Sequence, residues 1–445
     1  MAAYGVYLVL VLGAQAFRMV VVPDLTRAEA EGRLGPEFRA YCIAFLIVAV
    51  PVSLVTVAFA GFFGELVTGR LPHISAQVAA DALPWLVPAA FLQLLAALAA
   101  SALAARNSYG PAAAAFALGG IAGLVFFVLA ADAHGIVSLA WGLTLNGAVS
   151  VCVPLAFMLA RGSRLRRHRD VPLRLRYRLW QLLHGSAVPL AVQSLYLIAL
   201  RFAAGTGEGN VTSLSYAYLL AGMFTSATAF SLSLIAAAPL TRRGLDTESA
   251  AAHVVNSAWV SLALVGAAAG LVALVGGRVV TALLGDAYSG NVGDELGRLV
   301  VYLSPWMVAN AAFAITYPLM FVMRRTQWLL PVALAAILVD IPISIVFRSL
   351  WGLTGVTVAL GISTLLLVLG LMASLSVRML TLSVVGLGRL SLLVGAATAL
   401  AFGGASLVFS AVPAAVVGLA LYALLLLAMR ELGLAQAWQY VRALH

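Results

Sequence analysis

Long apolar stretches run along the chain from Ala2 to Met429, broken only by short polar, glycine- or proline-containing punctuation. A bilayer offers an open backbone no hydrogen bonds, so each stretch of about 20 apolar residues reads as a spanning helix. Thirteen spans are predicted, at 2–23, 40–62, 83–105, 110–131, 136–160, 184–203, 211–239, 254–283, 297–322, 327–348, 352–377, 390–410 and 413–429. Turn residues mark their ends, as at Asn107-Ser108-Tyr109-Gly110-Pro111 and Arg324-Arg325-Thr326-Gln327. The pattern predicts an all-α, polytopic integral membrane protein with no soluble domain.

Composition agrees. The 445 residues are 63% hydrophobic and 9% charged, with a mean hydropathy of +1.05, whereas a soluble chain carries about 25% charged residues. Cys42 and Cys152 both lie inside apolar runs and read as small core residues rather than a disulfide. No basic n-region with a cleavage site opens the chain, so no signal peptide is expected.

The formal charge is +10, and every one of the 26 basic residues is arginine. The absence of lysine excludes a Walker A or Schiff-base lysine, and no metal or organic cofactor is expected. On a soluble domain such a charge would suggest nucleic acid, but here the arginines sit in short loops between spans. Twenty fall in alternate loops, among them Arg27, Arg33, Arg39, Arg106, the run Arg161–Arg178, Arg242, Arg243, Arg324 and Arg325. The opposite loops hold five: Arg70, Arg201, Arg278, Arg298 and Arg348. The positive-inside rule makes the arginine-rich side cytoplasmic, with Met1 outside and His445 inside. The basic segment Arg161–Arg178 is either a linker obeying that rule or a surface for anionic headgroups, at about 1 kcal/mol per arginine.

An internal repeat runs through the chain. Pro23 recurs as Pro239, Gly69 as Gly285, Pro84-Trp85 as Pro305-Trp306, Arg106 as Arg325 and Gly135 as Gly355, in the same order and at nearly one spacing. The two copies share orientation, so they are parallel repeats. The predicted division is an N-lobe of five helices (1–160), a basic cytoplasmic linker (161–183), a C-lobe of six helices (184–378), a C-terminal helix pair (379–429) and an interfacial tail (430–445). Span six, about His184 to Ala203, has no upstream partner. The expectation is an ancestral six-plus-six unit, with this chain beginning one helix late.

This organisation resembles the lipid II flippase (MurJ/MviN) branch of the multidrug/oligosaccharidyl-lipid/polysaccharide exporter superfamily. Gly209-Asn210-Val211-Thr212-Ser213-Leu214-Ser215-Tyr216-Ala217 is similar to the family's segment opening the second helix of the second lobe. Leu103-Ala104-Ala105-Arg106-Asn107-Ser108-Tyr109 and Ala140-Trp141-Gly142 also fit. The resemblance implies two lobes around a cationic cavity, alternating access, and a lipid-linked saccharide as substrate. One departure stands out. Where the family often continues Tyr-Ala with Asp-Arg, this chain has Tyr218-Leu219, so the arginine thought to meet the lipid diphosphate is missing.

A charge at mid-membrane costs about 2.5–3.5 kcal/mol or more and is a functional candidate by default. Arg18 either faces a cavity and attracts a diphosphate or snorkels to the cytoplasmic interface. Arg201 is a second substrate-binding candidate, with snorkelling the simpler account of its place near a span end. Gln15 and Gln193 belong to helices that line the cavity in the resembled fold. Asp340, before Ile341-Pro342, is the candidate for proton or cation coupling, or else a helix-packing polar group. Gln93, Asn146, Asn256 and Asn310 read as interhelical hydrogen-bonding groups.

The leading function is a flippase in the cytoplasmic membrane for a polyprenyl-diphosphate-linked saccharide. A cation-coupled multidrug or metabolite antiporter is the alternative. A membrane glycosyltransferase is third, with only the short segment Asp286 to Glu295 to supply outer carboxylates.

Overall fold

Backbone groups in a bilayer must bond internally, and continuous apolar runs of about 20 residues do so as helices rather than as the short alternating strands of a barrel. A computed structural model describes residues 2–68, 73–160, 174–207, 209–226, 229, 239–241, 246–284, 291–432 and 434–443. Among these residues there is no strand. Most of the basic segment, Gln15's side chain, Arg70, Arg242, Arg243 and the loop at 285–290 lie outside the described set.

The helices are α1 (Ala2–Ala30), α2 (Leu34–Ala58), α3 (Ala60–Thr68), α4 (His73–Ala105), α5 (Tyr109–His134), α6 (Val137–Ala160), α7 (Leu175–Ala203) and α8 (Asn210–Thr225). They continue as α9 (Thr247–Leu284), α10 (Asn291–Tyr302), α11 (Ser304–Val322), α12 (Leu329–Leu375), α13 (Val377–Thr398), α14 (Ala411–Ala428) and α15 (Leu434–Ala443). Among the described residues ten helical stretches are long and apolar enough to span a bilayer. One of them, Thr326–Leu375, holds two predicted spans joined at a kink. The predicted spans 2–23 and 211–239 fall on α1, on α8 and on residues outside the described set. The span predicted at 297–322 is two helices, α10 and α11, parted at Leu303, with Pro305, which has no N–H to donate, in the first turn of α11.

The chain divides into two compact units, Met1–Leu190 and Ala191–His445. In the first, α4 is the central helix. It packs along α1, α2, α3 and α6, and Ala89, Ala96, Leu98, Ala99 and Ala102 on it are wholly buried. In the second, α9 plays that part against α10, α11, α13 and α14. Trp306 and Met307 sit at its core. The C-terminal helices dock on α9 through Tyr422, whose hydroxyl donates to the Ala263 carbonyl at 2.7 Å, and through His253, 3.1 Å from the Tyr440 hydroxyl of α15. Outside the apolar spans, Asp246 caps α9: its carboxylate accepts the Ser249 backbone N–H at 2.8 Å and is held below its ordinary pKa by Ser249.

The repeat is visible in backbone conformation. Asn107 and Arg324 both take a left-handed turn, with φ of 58° and 56°, and Gly135 and Gly352 both have φ of 57°. The two pairs share one and the same spacing along the chain. The turns match in detail: Ser108 N–H bonds to the Leu103 carbonyl at 2.9 Å and Arg325 N–H to the Met320 carbonyl at 2.8 Å, the six-residue closure of a Schellman helix end. Asn107 is therefore the equivalent of Arg324, and Gly135 of Gly352. This slightly shortens the spacing read from Arg106/Arg325 and Gly135/Gly355.

Candidate functional site

In the first unit Arg18 is half-buried on α1, and its guanidinium lies 5.1 Å from the centre of the Phe116 ring on α5. A cation over an aromatic face keeps its charge, and among the described residues Arg18 is in no ion pair.

One turn and a half further along α1 the polar side chains gather. Asp24 accepts from the Tyr41 hydroxyl of α2 at 2.7 Å, from Gln181 Nε2 of α7 at 3.2 Å and from Arg27 at 3.2 Å. Arg178 of α7 pairs with Glu37 of α2 at 2.8 Å and stacks on the Tyr41 ring at 4.2 Å. Arg178 is 4% exposed and Glu37 15%. Nearby, Arg106 at the end of α4 pairs with Glu29 at 3.3 Å. The arrangement neutralises charges on the arginine-rich side and ties the first turns of α7 to α1 and α2. It does not leave an open cation for a ligand.

In the second unit the predicted residues separate by environment. Gln193 is half-buried on α7, and Arg201, in the last turn of that helix, is exposed. Arg348 closes the loop after α7, donating to the Gly205 carbonyl at 2.8 Å. Asp340 is 1% exposed. Its Oδ1 accepts from Ser344, one turn on, at 3.3 Å. Ser363, beyond the kink in α12, is near enough to act on the carboxyl, yet neither its hydroxyl nor Asp340 Oδ2 has a hydrogen-bond partner among the described residues. Asp340 is thus a buried acid beside two serine hydroxyls.

The departure at Tyr218-Leu219 has a structural counterpart. Tyr218 is sandwiched between Tyr196 at 4.0 Å and the buried Trp306 at 4.5 Å, a packing role. Leu219 points to the surface of its unit, 49% exposed. Asn310, read as a helix-bridging group, donates to Thr225 of α8 at 3.1 Å. Cys42 and Cys152 are both free thiols, Cys42 half-buried and Cys152 exposed on its unit, so neither is the core residue expected of it.

In the sequence alone Asp24, Glu37, Tyr41 and Gln181 read as ordinary loop and helix-end residues, and their cluster goes unseen. The three-residue spacing of Asp24 and Arg27 is the one local signal. Ser344, four residues after Asp340, is a readable partner of the same kind. Ser363 requires the fold.

The model of the family described as lipid II flippase MurJ matches residues 7–439. No curated protein sequence matches the chain. Among solved structures, a lipid II flippase MurJ in an inward closed conformation is similar at 15% identity, covering 97% of this chain and 93% of its own, with a TM-score of 0.65. A MATE transporter in complex with MaD3S is similar at 15% identity over 88% of each chain, TM-score 0.70. A MOP superfamily transporter from Pyrococcus furiosus gives 15% identity over 88% of each chain, TM-score 0.64.

Proposed function

The chain belongs to the lipid II flippase MurJ family, and on that premise we propose that it flips a polyprenyl-diphosphate-linked saccharide across the cytoplasmic membrane by alternating access. The observation that carries the reading is the family match along nearly the whole chain, 7–439, on a multi-pass fold shared with a solved flippase of that name. Members of the family are transporters.

Within this reading Arg18 is the diphosphate contact, since Leu219 stands where the resembled proteins carry an arginine. Its charge is balanced by a ring rather than a carboxylate. Gln15 and Gln193 contribute hydrogen bonds to the glycan or diphosphate, and Arg201 guides the anion from a helix end. Asp340, with Ser344 and Ser363, holds the coupling proton or cation. The arginine-rich loops and the C-terminus lie in the cytoplasm. The working parts are the lobe 1–160, the linker 161–183, the lobe 184–378, the helix pair 379–429 and the tail 430–445.

Asp340 also favours a second reading. A buried acid short of one donor would suit a cation-coupled antiporter, and MATE transporters share the fold. Cells depleted of their own lipid II flippase separate the two. Expression of this chain is expected to restore growth. Failure to restore it, with raised tolerance of organic cations instead, would favour the antiporter.

A further inference from the structure

Arg278 and Arg298 are exceptions to the charge rule that places most other arginines. They belong to the five on the arginine-poor side, where topology gives no reason for a cation. In the fold they meet. Both line a cavity of about 600 Å³ in the second unit, closed on a third side by Ala411 at the start of α14. Loop alternation assigns the end of α9, the start of α10 and the start of α14 to one side of the membrane, and the structure brings these three segments together at one pocket.

The pocket is built by two local features. Gly276 and Gly297 let α9 and α10 touch backbone to backbone: a Cβ on Gly276 would lie 2.9 Å from Gly297 Cα. Arg278 follows the first of these glycines by two residues and Arg298 follows the second by one, so the crossing carries both guanidinium groups to the pocket's edge. Just before the crossing α9 is kinked at Val275, with φ −128° and ψ 16°. A kink interrupts the helical ladder and leaves backbone polar groups for another partner. Val272, Leu274 and Val301 give the pocket an apolar stretch of wall, beside Tyr302.

Both arginines are exposed, and among the described residues neither is in an ion pair. Two planar guanidinium groups match a phosphate's oxygens in forked hydrogen bonds, and an apolar wall beside them suits a hydrocarbon chain. The cavity's volume is in the range of small-molecule sites. We propose that this pocket binds the phosphate headgroup of an anionic phospholipid from the adjoining leaflet, held between Arg278 and Arg298 with an acyl chain along the Val272–Val301 wall. The site is independent of the transport reading above and of Arg18 and Asp340.

The test is native mass spectrometry of the full chain released from nanodiscs of phosphatidylglycerol mixed with phosphatidylcholine. The wild type is expected to retain phosphatidylglycerol preferentially. The R278Q/R298Q double variant is expected to lose that preference by about tenfold, the effect of losing about 1.4 kcal/mol, and R278K/R298K to keep part of it. Ala411→Trp, which narrows the pocket without altering charge, is expected to lose it as well. Equal retention by wild type and R278Q/R298Q would overturn the proposal. So would displacement of the phospholipid by millimolar inorganic phosphate, which would make this a free-anion site. Preferential retention of a polyprenyl phosphate over phosphatidylglycerol would likewise contradict the assignment.

Discussion

Arg178 Nη1 lies 2.8 Å from Glu37 Oε1, with both side chains largely buried and the guanidinium stacked on Tyr41. The pair joins the beginning of α7, just after the basic segment, to α2. Removing one partner of such a pair strands the other's charge, at about 3–5 kcal/mol, whereas replacing both by apolar side chains costs far less. Arg178→Ala or Glu37→Ala is therefore expected to lower the thermal midpoint of the purified protein sharply. Glu37→Met combined with Arg178→Met is expected to recover most of the loss. Additive effects in the double variant would show that the pair is not coupled.

Tyr41 carries two contacts that one substitution separates. Tyr41→Phe keeps the ring beneath Arg178 and removes the 2.7 Å bond to Asp24. A hydrogen bond to a charged group is worth about 1.5–3 kcal/mol. The phenylalanine variant should lose about that much in unfolding stability, and Tyr41→Leu should lose more because the cation–π contact also disappears.

Gly135 and Gly352 occupy equivalent helix junctions in the two copies of the repeat, each with φ of 57° and no atom within 4 Å of an added Cβ. Alanine at either place meets no clash, so its cost is backbone strain alone, about 1–3 kcal/mol. Gly395 is helical and equally open to a Cβ. Gly395→Ala is expected to be neutral or slightly stabilising by the same thermal measurement, while Gly135→Ala and Gly352→Ala both destabilise.

Much of the fold is legible in the sequence because each apolar run is its own instruction to form a helix, and because the turns at Asn107 and Arg324 and at Gly135 and Gly352 punctuate the two copies alike. Ends are less legible. The split at Leu303 depends on one proline in the first turn of α11. The break at Trp351 and Gly352, where the backbone leaves helical geometry, falls where the sequence ends one span and begins the next. Of the candidate site, Arg18 and Asp340 stand out because charge is costly in lipid. The Asp24 cluster does not, since Gln181 is 157 residues from its partner and nothing local distinguishes Arg178 from the other arginines of the basic segment. Arg278 and Arg298 are legible as exceptions, but only the contact of Gly276 with Gly297 makes them neighbours.

Asp340→Asn keeps the side chain's shape and the contact with Ser344 while removing the charge. As a coupling group, its loss should reduce the dependence of transport on a proton or sodium gradient at least about tenfold, about 1.4 kcal/mol of barrier. Unchanged gradient dependence with a lowered thermal midpoint would assign Asp340 to helix packing instead.

The central claim is tested most directly by the rate at which the reconstituted protein flips a fluorescent polyprenyl-diphosphate disaccharide between leaflets of a proteoliposome. Wild type is expected to expose the label to an external quencher or glycan-modifying enzyme well above protein-free vesicles. Arg18→Ala is expected to lose most of that rate, Arg18→Lys to keep part of it, and Arg201→Ala to lose a smaller part through slower capture of the anion. Wild-type vesicles no faster than protein-free ones, with gradient-driven uptake of a soluble organic cation in their place, would contradict the account.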